Sequence, residues 1–263
     1  MDYEGVLASL KSWAEADDNV RALVMTGSGG AAEAHSLSDR DIEVYAHDVD
    51  ALLADESWWT RLGEVLVVER LQNGDGHPTR LAYYVGGKLD FTLIPAGQLR
   101  GTTYERPYTV LLDKDGASSS LRKGAPSSQM PDEAEFTESL NWAYAAALMC
   151  AKAAVRDELW AAKFRDHDLK GQLLQMIEWD HRSRYGADYD TRYLGTRMNN
   201  WMDQDVRDEL FGCWGHLDAA DTASALRNTV KLFATVAERT AEARGFGAFH
   251  HARVNGEIEA ILA

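Results

Sequence analysis

The chain has 263 residues, 45% of them hydrophobic and 26% charged, which excludes a disordered, collagen-like or low-complexity protein. Acidic residues outnumber basic ones 42 to 27, for a net charge of −15, and no Lys/Arg block stands out. Duplex nucleic acid needs a positive footprint, so that partner class is not expected. A cationic small molecule is favoured instead. Two cysteines, Cys150 and Cys213, make neither a disulfide scaffold nor a zinc site. No apolar run reaches membrane-spanning length, and Met1-Asp2-Tyr3-Glu4 lacks the basic and apolar regions of a signal peptide. The expectation is a cytoplasmic protein with no membrane partner.

In chain order, residues 5–16 read as an amphipathic helix. Residues 20–26 read as a short buried strand ending at Gly27. Residues 41–46 alternate polar and apolar, as a half-buried strand does. Residues 49–62 read as a second helix, and 64–70, 79–85 and 88–94 as strands. Turn chemistry follows at Gly116–Ser120 and Pro126–Ser128, so a junction is expected near 115–132. All five prolines lie between Pro78 and Pro131, and a proline-free stretch fits a helical half. Asp132 with Glu135 forms a capping-box start. Helices are expected from there through Ala151 and over 158–184, 194–202, 203–215 and 220–243. The eight tryptophans are mostly at helical apolar positions and read as core. The predicted fold is α+β: a mixed sheet with helices over 1–128, then a helical bundle over 129–263.

The sharpest motif is Gly27-Ser28 at a strand end, followed by Ser38-Asp39-Arg40-Asp41 opening the next strand. Strand periodicity puts Asp39 and Asp41 on one face. Two adjacent carboxylates repel unless a cation lies between them, and Mg²⁺ favours a few carboxylates plus phosphate oxygens. The Gly27-Ser28 turn offers backbone N–H groups and a hydroxyl to a triphosphate. Asp90 is a lone acid in an otherwise apolar strand, costly unless paired or metal-bound. These are the elements of a metal-dependent nucleotidyl-transfer site.

Gly27-Ser28 with Asp39-x-Asp41 resembles the polymerase-β-like nucleotidyltransferase superfamily. Leu89-Asp90-Phe91-Thr92-Leu93-Ile94-Pro95 resembles the matching strand of bacterial aminoglycoside 6-adenylyltransferases of the streptomycin-modifying type. The likeness continues at Leu159–Phe164, Gln172–Trp179, Tyr193-Leu194-Gly195 and Leu232–Ala237. Where those enzymes carry Arg after Gly-Ser, this chain has Gly29-Gly30. The spacing before the aspartates also resembles lincosamide nucleotidyltransferases.

The resemblance implies an enzyme that inactivates an antibiotic by moving AMP from ATP to a drug hydroxyl, with Mg²⁺ held by Asp39, Asp41 and Asp90. It implies phosphate contacts from Gly27, Ser28 and Lys163. Lys152 and Arg156 stand behind Lys163, on a face shared through spacings of four and seven. The general base is Asp90 or Glu43, and a register shifted by two would make Asp41 and Glu43 the metal pair. Aminoglycosides are polycations, so Glu178, Trp179 and Asp180 are candidate drug contacts, as are Asp132, Glu133 and Glu135. His35 reads as a solvated loop residue, and His250-His251 as structural. A lincosamide or a macromolecular acceptor is the alternative.

Overall fold

The computed structural model describes residues 1–27, 38–124 and 130–263. The chain divides into two compact units, residues 1–127 and 128–263.

The first unit is a six-stranded sheet with helices. Its elements are α1 (Tyr3–Ala16), β1 (Val20–Thr26), β2 (Arg40–Ala46), α2 (Val49–Ala54), α3 (Ser57–Thr60), β3 (Val65–Gln72), β4 (Pro78–Tyr84) and β5 (Gly87–Pro95). After these come β6 (Thr103–Tyr104), β7 (Tyr108–Asp113) and β8 (Arg122–Lys123). The sheet order is β3-β4-β5-β2-β1-β7. All neighbours are antiparallel except β2 and β5, which run parallel with Asp41 opposite Asp90.

Alternation along each strand sorts the side chains between two faces. Ile42, Val44, Leu89, Phe91 and Leu93 point to one side, where Leu10, Ala14, Leu52, Trp58 and Trp59 complete a core. Trp58 stacks on Trp13 and meets Phe91 edge-on. Burying Phe91 completely is worth about 2–3 kcal/mol. The opposite face carries Asp41, Glu43 and Tyr45 of β2. Among the described residues its Tyr45 end has an apolar cover, built from Ala22, Val24, Ile94, Leu99, Tyr104 and Ala117. The sheet's second face therefore ends in carboxylates.

The expected helix over 49–62 is two short pieces. Asp48 caps α2 at the Ala51 amide, and the Asp55 carboxylate accepts from the Ser57 amide, turning the chain between them. Strand β7 was not expected; it pairs along β1 at the sheet edge. Residues 116–124 are not linker. They form a 3₁₀ turn, Ala117–Ser120, and the strand β8, which pairs with β6.

The second unit is helical: α4 (Glu133–Val155), α5 (Leu159–Tyr185), α6 (Met198–Trp201), α7 (Gln204–Leu210), α8 (Ala219–Arg244) and α9 (His251–Leu262). Asp132 and Glu135 form the reciprocal capping box at α4. Asp218 caps α8, and Gly245 ends it in the left-handed region at φ +70°. Ala143, Ala146, Ala147, Ala151 and Ala154 line the buried side of α4, so α5 and α8 pack close to its backbone.

Expected helix 194–202 is instead a 3₁₀ turn, Tyr193–Gly195, followed by the four-residue α6. Arg192, Leu194 and Arg197 hold φ of +60°, +49° and +53°, which no helix continues through. Helix α9 went unanticipated. Trp58, Trp59, Trp179 and Trp201 are buried as expected, but Trp142, Trp160 and Trp214 are exposed. Cys150 and Cys213 are free and buried. Among the described residues no helix is long and apolar enough to cross a membrane.

Candidate active site

Asp39, Asp41 and Asp90 lie at one end of the sheet's second face. The parallel ladder sets Asp41 beside Asp90 and Arg40 beside Leu89. Carried one residue further, it sets Asp39 beside Lys88. Lys88 lies two residues before Asp90 and shares its face. Its Nζ donates to Asp39 Oδ2 and to Asp90 Oδ2, at 2.9 Å each. Asp90 and Lys88 are largely withdrawn from solvent, while the Asp39 side chain keeps 44% of its exposure. The Lys88 ammonium also lies 5.2 Å from the Tyr83 ring centroid.

The electrostatics follow from this crowding. Burial pushes the Asp90 carboxyl up to about 6, against the opposing pull of Lys88. Burial, then the charge of Asp39, raises Asp41, against Lys88 and Arg106. Burial works against the Lys88 charge, yet its hydrogen bonds to Asp90 and Asp39 outweigh that and hold it above the ordinary lysine value. Asp90 Oδ1 is buried, and no hydrogen-bond partner among the described residues reaches it. An oxygen left so costs about 1–3 kcal/mol or more unless something else completes it.

The donor set suits a hard divalent cation: carboxylate oxygens on one sheet face, one of them unpartnered. Among the described residues, however, no three Asp, Glu, His or Cys side chains already converge as a metal cage. Asp39 and Asp90 are turned onto Lys88 instead.

Gly27 serves the site differently from the expectation. Its amide donates to the Pro107 carbonyl at 2.9 Å, so that N–H is not free for a phosphate. Its φ is +71°, and a Cβ there would stand 2.7 Å from Asp41 Oδ2. The glycine makes room for the Asp41 carboxylate. Ser28 and His35 lie outside the described residues.

Glu43 stands opposite Thr92 rather than an acid. Its Oε2 accepts from Tyr45 Oη at 2.7 Å and also from Tyr104 Oη. Those phenols hold Glu43 beside the apolar cover, two residues further along β2 than Asp41. Two further residues shape the entrance to β2. Arg40 lies over the Tyr3 ring at 4.2 Å and donates to the Ser38 carbonyl at 2.7 Å. The Tyr3 hydroxyl in turn accepts from the Lys88 amide at 3.1 Å. The sequence reading passed over Lys88, although Lys-x-Asp in a strand places both side chains on one face.

The remaining candidates lie in the helical unit. Lys163 is on α5 and donates to the Gly215 carbonyl at 2.8 Å. Lys152 and Arg156 belong to the end of α4, and Asp157 at φ +56° breaks the helix before α5 begins. The supposed face through 152, 156 and 163 therefore does not exist as one helix. Arg156 pairs with Glu158.

Trp179 is in the core, and Asp180 is wholly buried. Both Asp180 oxygens accept from Arg184, and Oδ2 also from Arg239. Glu178 is partly buried, 4.0 Å from Arg182, with burial pushing its carboxyl up to about 6. Asp132 and Glu135 are spent on the α4 cap, and Glu133 accepts from the Gly247 amide. His251 packs on Tyr144 and Phe249, consistent with a structural residue.

Known proteins resemble the chain over most of its length. The profile of the family described as streptomycin adenylyltransferase matches residues 2–255. An aminoglycoside 6-adenylyltransferase of Staphylococcus aureus is 25% identical over 200 residues, covering 70% of this chain and 71% of its own. One from Bacillus subtilis (strain 168) is 22% identical over 216 residues, covering 75% of each. A crystal structure of an aminoglycoside 6-adenyltransferase from Bacillus subtilis covers 97% of both chains, at 18% identity and a TM-score of 0.46. With a family match running almost from end to end, the chain belongs to the streptomycin adenylyltransferase family and is a nucleotidyltransferase.

Proposed function

We propose that this enzyme transfers AMP from Mg-ATP to a hydroxyl of an aminoglycoside, with streptomycin as the first acceptor to test. The relatives' names support the acceptor class. The observation that carries the reaction type is the Asp39, Asp41 and Asp90 group, set side by side on one sheet face with Asp90 Oδ1 unpartnered.

In this reading Asp39, Asp41 and Asp90 hold the divalent cation. When bound, Mg²⁺ neutralises phosphate charge and lowers the pKa of a nearby hydroxyl. The acceptor hydroxyl attacks the α-phosphorus of ATP, a phosphodiester bond to the drug forms, and pyrophosphate leaves. Positioning and charge stabilisation carry the rate. Asp90 takes the hydroxyl proton, because Glu43 is already occupied by two phenols. Gly27 gives the Asp41 carboxylate its space, and Ser28 contacts the phosphates. The helical unit binds the drug. Glu178 is the contact among the three acid and aromatic candidates there, since Trp179 and Asp180 are turned into the core.

The test is mass spectrometry of the purified enzyme with Mg-ATP and, separately, streptomycin, other aminoglycosides and a lincosamide. One adenylyl group on streptomycin is expected, lost on chelation of Mg²⁺. An adduct on another drug alone moves the acceptor and keeps the chemistry. No adduct and no pyrophosphate with any of them overturns the reading.

A further inference from the structure

Lys88 stands where a cation is needed. Three carboxylates share the end of one sheet face, and one ammonium bridges two of them at 2.9 Å each. Charge-assisted bonds of that length are among the stronger hydrogen bonds a protein makes. They fix the carboxylates as well as the lysine: Asp39, just before β2, and Asp90, within β5, are drawn to one point. The same bonds explain why the acids do not already converge on a metal position. Two of the three are aimed at Nζ.

The third side of the ammonium is the relevant one. Lys88 has three N–H donors, and two are used. Across the ladder from Lys88 is Tyr83, whose ring centroid lies 5.2 Å from Nζ. An aromatic face at that distance attracts an ammonium. A lysine on a flexible four-carbon stem therefore has a second resting place beside the first, on the neighbouring strand.

We propose that Lys88 is a positioning residue, a tethered counter-ion that holds Asp39 and Asp90 in register until a divalent cation takes them and the ammonium withdraws toward Tyr83. This rests on the assignment of the carboxylates to a metal under the proposed function. Cation entry is then an exchange of one positive charge for two, with Lys88 as the competitor. The lysine keeps three like charges together in the metal-free enzyme, at the expense of metal affinity.

Two measurements on the full chain decide it. The first is calorimetric titration with Mn²⁺ alone, without nucleotide, for wild type, Lys88→Met, Lys88→Arg and Asp41→Asn. Removing the competitor should tighten Mn²⁺ binding by about tenfold or more in Lys88→Met. Lys88→Arg, which keeps a cationic donor, should stay near wild type. In Lys88→Met the metal-free melting temperature should fall and recover with Mn²⁺. Unchanged or weaker Mn²⁺ binding in Lys88→Met overturns the proposal.

The second uses wild type only, so it survives a variant that fails to fold. An amine-reactive reagent, read by peptide mass spectrometry, should modify Lys88 faster with Mn²⁺ present than in chelator. Equal labelling overturns the proposal as well. Asp41→Asn separates the two levels of argument. If it binds Mn²⁺ as wild type does, the metal assignment fails. If it loses binding while Lys88→Met matches wild type, the assignment stands and the role of Lys88 fails alone.

Discussion

The sheet unit and the helical unit each gather aspartates, some of them withdrawn from solvent, and they settle the charge differently. In the helical unit Asp180 is fully buried, yet Arg184 grips both its oxygens and Arg239 adds a third bond. Asp203 receives Arg184 and Tyr185, and its amide donates to His181 Nε2. Acid and base nearly balance. In the sheet unit, Lys88 bonds Asp39 and Asp90 and reaches Asp41 only through its charge, and one oxygen of Asp90 has no partner among the described residues. A saturated cluster is a structural joint; an unsaturated excess of one sign is poised to bind the other.

That contrast is tested most severely by removing one acid from each. Asp41→Asn or Asp90→Asn should lower adenylyl transfer by about a thousandfold, the scale of losing a principal charge-stabilising group. Stability should change by no more than about 1 kcal/mol, because an amide relieves repulsion among like charges. Enzyme assays beside urea unfolding check both halves. A variant that unfolds easily, or one that keeps its activity, breaks the comparison on the sheet side. Asp180→Ala should do the reverse. It strips two arginines of their shared partner, and removing one member of a buried pair is strongly destabilising. With Arg184 and Arg239 each about a quarter exposed, a loss of about 3 kcal/mol is expected in urea unfolding.

Gly27→Ala comes next in size. The new Cβ would press on Asp41 Oδ2, and φ of +71° is unfavourable for alanine. A stability loss of about 1–2 kcal/mol is expected. Activity should drop further than that predicts, because the displaced carboxylate is the one opposite Asp90. Melting curves and kcat measured together separate the two components. A variant with normal kcat would show that Gly27 is only a turn residue.

The same contrast explains what could be read from the residues alone. Asp90 was legible because an acid in Leu-Asp-Phe-Thr-Leu violates the strand's own hydrophobicity. Asp39 and Asp41 were legible from period-two spacing. Asp180 and Asp90 raise the same signal, because a charge in an apolar setting points to function unless a partner neutralises it, and Asp180 is neutralised. The partner Arg239 lies 59 positions away, on another helix. Lys88 was missed because a lysine near a strand start normally reads as solvated. Its value comes from a parallel register that local pattern does not reveal. Strand β7 depends on pairing with β1, and the break between α2 and α3 on one Asp55 side chain. Both are decided by contacts rather than by periodicity.

The smallest expected effect concerns a third arrangement, a buried base with no acid bonded to it. His251 Nδ1 lies 2.6 Å from Tyr144 Oη. Burial pushes its pKa below the ordinary 6.5, against a weaker upward pull from Glu238. His181 is depressed by burial too, despite Asp180 and Asp203 nearby. For a group whose folded pKa lies below its unfolded one, the unfolded chain binds the proton first as pH falls. Stability is therefore flat well above 6.5 and declines as pH drops through 6.5 toward the folded value. Glu178 has the opposite sign. Its carboxyl, raised to about 6, is protonated first in the folded chain, so stability is gained between about 6 and 4.5. Asp90, also raised to about 6, adds to that gain, so the histidine contribution is isolated by comparing variants and not by the pH interval alone. From about pH 7.5 to about 6, the urea midpoint of wild type should drop relative to that of His251→Gln, which cannot take up the proton. Equal slopes would mean that His251 titrates as freely in the folded chain as in the unfolded one, and that burial does not hold it neutral.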